Sequence, residues 1–395
     1  MRTLRSIALP ASLFLLGAVF LATRLLPWHD FLQLADRTVP ILSFVVAMTV
    51  VTELADEAGI FRLVTDWLAH LGIGRSGRGK IWLLWLLVVA LSTVSTVFLS
   101  LDSTAVLVTP VVVLLAIHAK IPPLPFALTT VWLANTGSLL LPVSNLTNLL
   151  AQHQLGTTPA GFAALVWAPA LVGVLVPAAL LWAFFRKDLR GDFKPLVTRS
   201  ARDRPLLITA GVTLLLLLPA LVSGVPVAVP SGIAALFLLA VFFFRRRTAL
   251  RWGMLPWRPL LLTIGLFMVV QTLHAHGLAA LLGRISGHGD RYLNLLQLSG
   301  LGALSANAAN NLPAYLALEP AANSPIRLAA LLIGVNLGPL ISPWASLATL
   351  LWHERLKALG VNISWGGFAL AGLAAAVIIV PLAVLALWLA AGLPG

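Results

Sequence analysis

Twelve apolar runs follow one another along the chain, at about 7–26, 38–56, 81–100, 105–118, 123–152, 162–185, 205–222, 229–244, 259–276, 292–318, 326–352 and 366–391. A helical bilayer crossing takes about 20 predominantly apolar residues, so this succession dictates an all-α polytopic membrane protein. The apolar 59% of the 395 residues suffices for about ten to eleven membrane segments. Charged residues make up 10%, against about 25% in soluble chains, which leaves no sizeable water-soluble domain. The first run follows Arg2 and Arg5 as a signal peptide would, yet no small-x-small cleavage site comes after it and Arg24 follows directly. It reads as an N-terminal membrane helix within 1–37. The absence of cysteine excludes disulfides, thiolate metal sites and cysteine nucleophiles.

The formal charge of +13 would suggest nucleic acid in a soluble protein. Here it is a topology signal, because cytoplasmic loops collect Lys and Arg. With the N-terminus in the cytoplasm, and 81–118 and 292–318 read as hairpins that return to their side of entry, only Arg24, Arg37, Arg284, Arg291 and Arg327 of the 26 basic residues fall outside. The others gather at the N-terminus, in 62–80 with Lys120, in 186–204, in 245–258 and at Arg355 and Lys357. Nucleic acid is not an expected partner; the lipid bilayer of the cytoplasmic membrane is. Trp28, Trp82, Trp167, Trp182, Trp257 and Trp388 sit near segment ends, as an interfacial aromatic belt does.

An internal repeat divides the chain into two related halves. Residues 135–148 (NTGSLLLPVSNLTN) align without gaps with 336–349 (NLGPLISPWASLAT), 201 residues further on. Upstream of each lies a second polar interruption, Leu99-Ser-Leu-Asp102-Ser103-Thr104 and Ser305-Ala-Asn307-Ala-Ala-Asn310-Asn311-Leu-Pro313. Further upstream, helix ends at 53–59 and 273–277 precede short amphipathic stretches. Five crossings separate the units, an odd number, so the second enters the membrane from the opposite side, the inverted repeat of secondary transporters. The expected division is a first repeat over 38–185 (hairpin 81–118, broken helix 123–152), linkers and two scaffold helices over 186–258, and a second repeat over 259–391 (hairpin 292–318, broken helix 326–352). Pro and Gly at mid-membrane free backbone groups that lipid cannot satisfy, so such segments must be buried or line a wet cavity. A lone Ser, Thr or Asn often serves helix packing only; the same pattern in both halves points to one central cavity.

The strings LDSTAVLVTP, ANTGSLLLPVSNLTNLL, NLGPLISPWASLATLLW and ISWGGF resemble the arsenical pump membrane protein family, part of an ion transporter superfamily that includes sodium-coupled divalent-anion and citrate carriers. The likeness spans about 38–391. It implies a scaffold with a transport unit of two re-entrant hairpins and two broken helices, and efflux of arsenite or antimonite. Carried over by position, the first hairpin tip is Asp102, with Leu101 where the family has Asn, and the second is Asn310 and Asn311. Asn135 and Asn336 stand where the family's unwound helices commonly have Asp. The resemblance leaves a homodimer and a cytosolic ATPase partner open.

Segments 99–118, 129–152, 299–318 and 329–352 carry no Lys or Arg. Ser103, Thr104, Ser144, Asn145, Asn148, Asn310, Asn311, Ser342, Ser346 and Thr349 offer donors and acceptors to a neutral polyhydroxy solute such as undissociated arsenous acid. Asp102 is the only carboxylate of these segments. An acid at that depth costs about 2.5–3.5 kcal/mol on insertion scales and is a functional candidate by default; it is expected to carry a coupling proton, the alternative being a helix cap. Glu53, Asp56 and Glu57 read as solvated at a cytoplasmic helix end. His274, His276 and His288 lie at an external helix end without a neighbouring acid, so no metal and no cofactor is expected. Neither G-x-S-x-G nor H-E-x-x-H occurs, which sets an intramembrane enzyme aside. A sodium-coupled carrier of a carboxylate or inorganic anion is the alternative transporter, because Asn, Ser and freed carbonyls also suit sodium. The orientation is testable on this cysteine-free chain: a single cysteine at position 194 is expected to react with an impermeant reagent only from the cytoplasmic side, and labelling from outside intact cells would reverse the topology.

Overall fold

The structure is a computed structural model, and it describes residues 2–71, 79–193 and 203–392. The basic residues Arg75, Arg78, Lys194, Arg199 and Arg202 of the charge pattern lie outside the described residues. Among the described residues, seventeen helices account for nearly all of the chain: α1 (Arg2–Ala22), α2 (Trp28–Glu57), α3 (Ile60–Leu71), α4 (Ile81–Leu99), α5 (Leu101–His118), α6 (Leu124–Thr136), α7 (Leu146–Leu155), α8 (Pro159–Phe185), α9 (Arg204–Val222), α10 (Ala228–Arg245), α11 (Trp257–Ala275), α12 (Leu278–Ile285), α13 (Tyr292–Ala308), α14 (Asn311–Leu318), α15 (Pro325–Leu337), α16 (Leu347–Ala358) and α17 (Trp365–Ala390). A two-residue antiparallel pairing of β1 (Gly79–Lys80) with β2 (Asp192–Phe193), held by a Lys80–Asp192 ion pair at 2.8 Å, is a surface clasp.

Eight of the described helices are long and apolar enough to cross a membrane: α2, α4, α5, α8, α9, α10, α11 and α17. Pro10–Ala22 and α15 are shorter apolar helices. The outward faces carry large apolar side chains, for example Leu215, Leu236, Leu370 and Val377. On a protein in water such a surface would aggregate; against lipid it is satisfied. The chain is a multi-pass membrane protein.

Helices α2 and α11 each run into a short amphipathic helix, α3 and α12, through a glycine with positive φ: Gly59 at 90° and Gly277 at 98°. The next helices, α4 and α13, stop at residues with a backbone almost reserved for glycine, Ser100 (φ 126°, ψ 161°) and Asn310 (φ 153°, ψ 158°). At both points the chain doubles back. Thr96 Oγ1 lies 2.9 Å from Thr104 Oγ1, a contact that eight residues of straight helix, about 12 Å long, could not make. Ser100 and Asn310 each cap the helix that follows, accepting from the backbone N–H of Ser103 and Leu312. The first reversal thus falls at Ser100, two residues before Asp102, which sits in the first turn of α5.

The next helix of each half is broken. After α6 and α15 come irregular residues, then a tight turn (Pro142–Ser144 and Pro343–Ala345), then α7 and α16. The turns and the helix starts keep the 201-residue register of the sequence repeat. Long helices α8 and α17 brace the breaks. A Cβ on Gly173 of α8 would sit 2.5 Å from the carbonyl oxygen of Thr136, and one on Gly372 of α17 would sit 1.9 Å from that of Leu340. Only glycine allows this approach, which sets each helix against the start of an unwound segment. On the other side α1 packs along α11, and α10 along α2.

Two basic residues expected in loops are engaged within the protein instead. Arg37 lies within α2, which begins at Trp28, and is paired with Glu319. Arg327, 1% exposed in the first turn of α15, donates to the carbonyls of Ser286, Gly287, Gly289 and Ala321. These two are structural cations rather than loop charges.

Gly372→Ala is expected to destabilise by about 1–3 kcal/mol, the usual cost of overpacking, because the atom in the way is backbone and cannot turn aside. Gly232→Ala in α10, where nothing lies within 4 Å of the new methyl, should leave the melting temperature of the detergent-solubilised protein unchanged or raised. Equal melting curves for the two variants would refute the close packing.

Candidate functional site

The two breaks face each other at the centre of the bundle and are tied by reciprocal contacts. Asn336, fully buried at the end of α15, donates from Nδ2 to Asn148 Oδ1 at 2.7 Å. Its Oδ1 accepts from Asn145 Nδ2 at 3.0 Å and Thr147 Oγ1 at 2.8 Å. Asn135, 2% exposed at the end of α6, makes the corresponding contact with Thr349 Oγ1 at 3.4 Å and donates also to Val131 O. Adding 201 to Asn148 gives Thr349, and adding it to Asn135 gives Asn336. Each half therefore reads the other through the same pair of positions.

The freed backbone of each break is taken up by one asparagine. Asn148 Nδ2 reaches the carbonyls of Ser138, Leu139 and Leu141 at 2.7–3.3 Å. In the second half the role falls to Asn307, which bonds Gly338 O, the N–H groups of Ile341 and Ser342, and through its own carbonyl Ser342 Oγ and Trp344 Nε1. Ser144 Oγ ties the first break to its hairpin through Val97 O at 2.8 Å, and Asn310 Nδ2 ties the second hairpin to Trp344 O at 2.9 Å.

A cavity of about 320 Å³ lies beside this cluster. One wall is made by α2 from Leu42 to Glu53 and by residues 253–266 at the start of α11; the other is made of motif segments. The motif wall contains the first residues of four helices: Ser100–Ser103 at α5, Asn145 and Leu146 at α7, Asn310–Leu312 at α14, and Ser346 and Leu347 at α16. Helix starts carry free N–H groups and the positive end of the dipole, so the wall favours electron-rich oxygen. A π-type turn over Thr104–Val108 interrupts α5 just behind its tip, an irregularity common at functional sites.

The candidate residues divide by location. Asp102, Ser103, Asn145, Asn310, Asn311 and Ser346 line the cavity. Asn135, Asn148, Asn336 and Thr349 form the interlock behind it, while Thr104, bonded to Ser95 and Thr96, Ser144 and Ser342 hold hairpin and break backbones. Six buried side-chain atoms lack a partner among the described residues, and two of them belong to the cavity wall: Asp102 Oδ1 and Ser346 Oγ. Buried polar atoms in proteins are paired as a rule, so these two oxygens are the polar atoms of the wall with bonding capacity left over. Ser346 occupies the position of Asn145, yet Asn145 caps its helix through Thr147 N and Ser346 caps nothing.

Three expectations change. Glu53 lines the cavity rather than standing in solvent, and Arg355 lies at the same end, so the cavity is not free of cations. Glu57 is paired with Arg246 at 3.0 Å. Asn307, Ser138 and Thr147 join the candidates, although the sequence pattern alone does not single them out. All three stand inside the repeated polar strings, and Asn307, three residues before the strained Asn310, carries one local signal, an amide one turn from a helix break.

The sequence profile of the citrate-transporter family (CitMHS) matches residues 2–325. The arsenical pump membrane protein of Escherichia coli (strain K12) is 30% identical over 376 residues, covering 87% of this chain and 85% of that protein. The putative arsenical pump membrane protein of Bacillus subtilis (strain 168) is 27% identical over 363 residues, covering 81% and 80%. Among solved structures, the YdaH transporter of Alcanivorax borkumensis superposes with a TM-score of 0.59 at 16% identity over 99% of this chain and 98% of that one, a likeness of fold. The paired hairpins, broken helices and central cavity are thus those of a transporter, and the chain belongs to the citrate-transporter family of multi-pass membrane carriers.

Proposed function

We propose that this secondary transporter expels arsenite or antimonite across the cytoplasmic membrane in exchange for protons, with its N-terminus in the cytoplasm and with 38–185 and 259–391 as inverted halves. The reading is carried by the pair of partnerless oxygens in the cavity wall, a carboxyl from one half and a hydroxyl from the other. A small solute that both donates and accepts hydrogen bonds completes them. Undissociated arsenous acid does so: one O–H donates to Asp102, and an oxygen accepts from the Ser346 hydroxyl and the start of α16. The similarity to arsenical pump membrane proteins over most of both chains supports this cargo.

The exchange follows from the chemistry of Asp102. As a carboxylate it accepts the cargo's O–H at its partnerless oxygen; an incoming proton that bonds to that same oxygen takes the place of the cargo's O–H, and the cargo departs. Release of the proton on the cytoplasmic side regenerates the carboxylate. Ser103, Asn145, Asn310 and Asn311 complete the lining, while Thr104, Asn135, Ser144, Asn148, Asn336, Ser342 and Thr349 keep the two breaks in register. One observation favours a second reading, a proton- or sodium-coupled carrier of a carboxylate or inorganic anion: four helix starts and Arg355 face the same cavity. The match to the citrate-transporter profile supports it as well.

Cells that express the chain should accumulate less arsenite or antimonite than control cells. Unchanged accumulation with correctly inserted protein, together with gradient-driven uptake of citrate or sulfate into proteoliposomes, would establish the second reading. Asp102→Asn keeps the volume and an acceptor, so it is expected to abolish proton-driven movement while sparing exchange of arsenite between equal pools; undiminished proton-driven transport would make Asp102 a helix cap. Ser346→Ala removes one neutral hydrogen bond to the cargo and should raise the apparent KM about three- to tenfold, and an unchanged KM would remove Ser346 from the site.

A further inference from the structure

Among the charged residues of α2, which are Asp30, Asp36, Arg37, Glu53, Asp56 and Glu57, Arg37 and Glu53 lie about 24 Å apart along its axis. Arg37 is joined to Glu319, which follows α14 in the second hairpin: Nη1 donates to Oε2 at 2.9 Å, and Nη2 donates to Oε1. The same guanidinium donates to Leu150 O of α7 at 3.2 Å, and Tyr315 donates its hydroxyl to Glu319 at 2.8 Å. His274 of α11 reaches Ala317 O beside them. At this end α2 is sealed against both a hairpin and a broken helix.

The other end borders the cavity, which runs along α2 from Leu42 to Glu53 and stops short of Arg37. Glu53 and Arg355, the latter at the far end of α16, both line it, and no ion pair joins them among the described residues. The cavity separates α2 and the start of α11 from the hairpins and breaks, so both charged pairs straddle one boundary.

We infer that Arg37–Glu319 and Glu53–Arg355 are alternating gates of this boundary, the first closed and the second parted in this structure, and that rocking of the motif segments against α2 breaks one pair as it makes the other. The closed pair is not optimised for permanence. Arg37 Nε is buried without a partner while 25% of the side chain stays exposed, so the pair is neither fully bonded nor fully shielded from solvent. A contact that must part in every cycle can keep that defect.

The test needs no knowledge of the cargo, so its failure is separate from failure of the arsenite reading. A single cysteine replacing Val45, in the cavity wall, is expected to react with an impermeant thiol reagent from the Glu53 side and slowly from the Arg37 side, in membrane vesicles of either orientation. Adding Glu319→Gln should raise labelling from the Arg37 side by on the order of tenfold. Adding Glu53→Gln instead should leave that side at or below the parent rate. The charge exchange of Arg37→Glu with Glu319→Arg should restore the parent pattern, and it carries the test if Glu319→Gln does not insert. The double variant Glu53→Cys with Arg355→Cys, treated with copper phenanthroline as oxidant under an imposed gradient, should form a disulfide and halt transport until dithiothreitol reduces it. Labelling of Val45→Cys that ignores the Arg37–Glu319 pair, or rises equally from both sides, overturns the proposal, as does an inner cysteine pair that never cross-links.

Discussion

Two helices unwind in the middle of an apolar bundle, and the backbone groups released there have only protein to bond to. An unpaired amide or carbonyl in such surroundings costs several kcal/mol. The asparagines meet this need: Asn148 collects three carbonyls of the first break, and Asn307 serves one carbonyl and two amides of the second. The other central features follow from this constraint. The breaks can lie side by side because each sends an amide across to the other, and α8 and α17 can press on them because Gly173 and Gly372 lack side chains.

Duplication supplies the frame, and departures from it supply the chemistry. Equivalent positions 201 residues apart form equivalent turns and helix starts, yet the side chains differ where the cavity begins. Asn145 is consumed by its own helix and by Asn336, whereas Ser346 is left over. Counting from the strained tips, Asp102 is matched by Leu312, so one hairpin brings a carboxyl to the cavity and the other does not. Two identical halves would offer a ligand two equivalent orientations; the unlike oxygens of Asp102 and Ser346 remove that equivalence.

Charge is used sparingly and in defined places. Arg327 fastens the start of α15 through backbone carbonyls, and Arg37 with Glu319 ties α2 to the second hairpin. Glu53 and Arg355 stand apart in the cavity wall. Each of these charges sits where two helices or a helix and a loop meet, which is where moving one segment against another changes its surroundings most.

Hydropathy and the repeat, read from sequence alone, determined the all-helical membrane class and pointed to the hairpins, the breaks and a set of candidate polar residues, because apolar length and helix-breaking residues act locally. Of those residues, only the tertiary structure decided which face a ligand and which serve the backbone. Asn135 and its counterpart Asn336 look alike in sequence to Asn310, but the first two are spent on the interlock and the third stands at the cavity. Glu53 and Arg355 escape a reading of the sequence for the same reason. One lies near the end of a helix and the other just past a motif, and nothing local says that α2 and α16 meet across a cavity. Contacts between residues so far apart along the chain arise from packing, where the partner's position, not the residue's own type, sets its role.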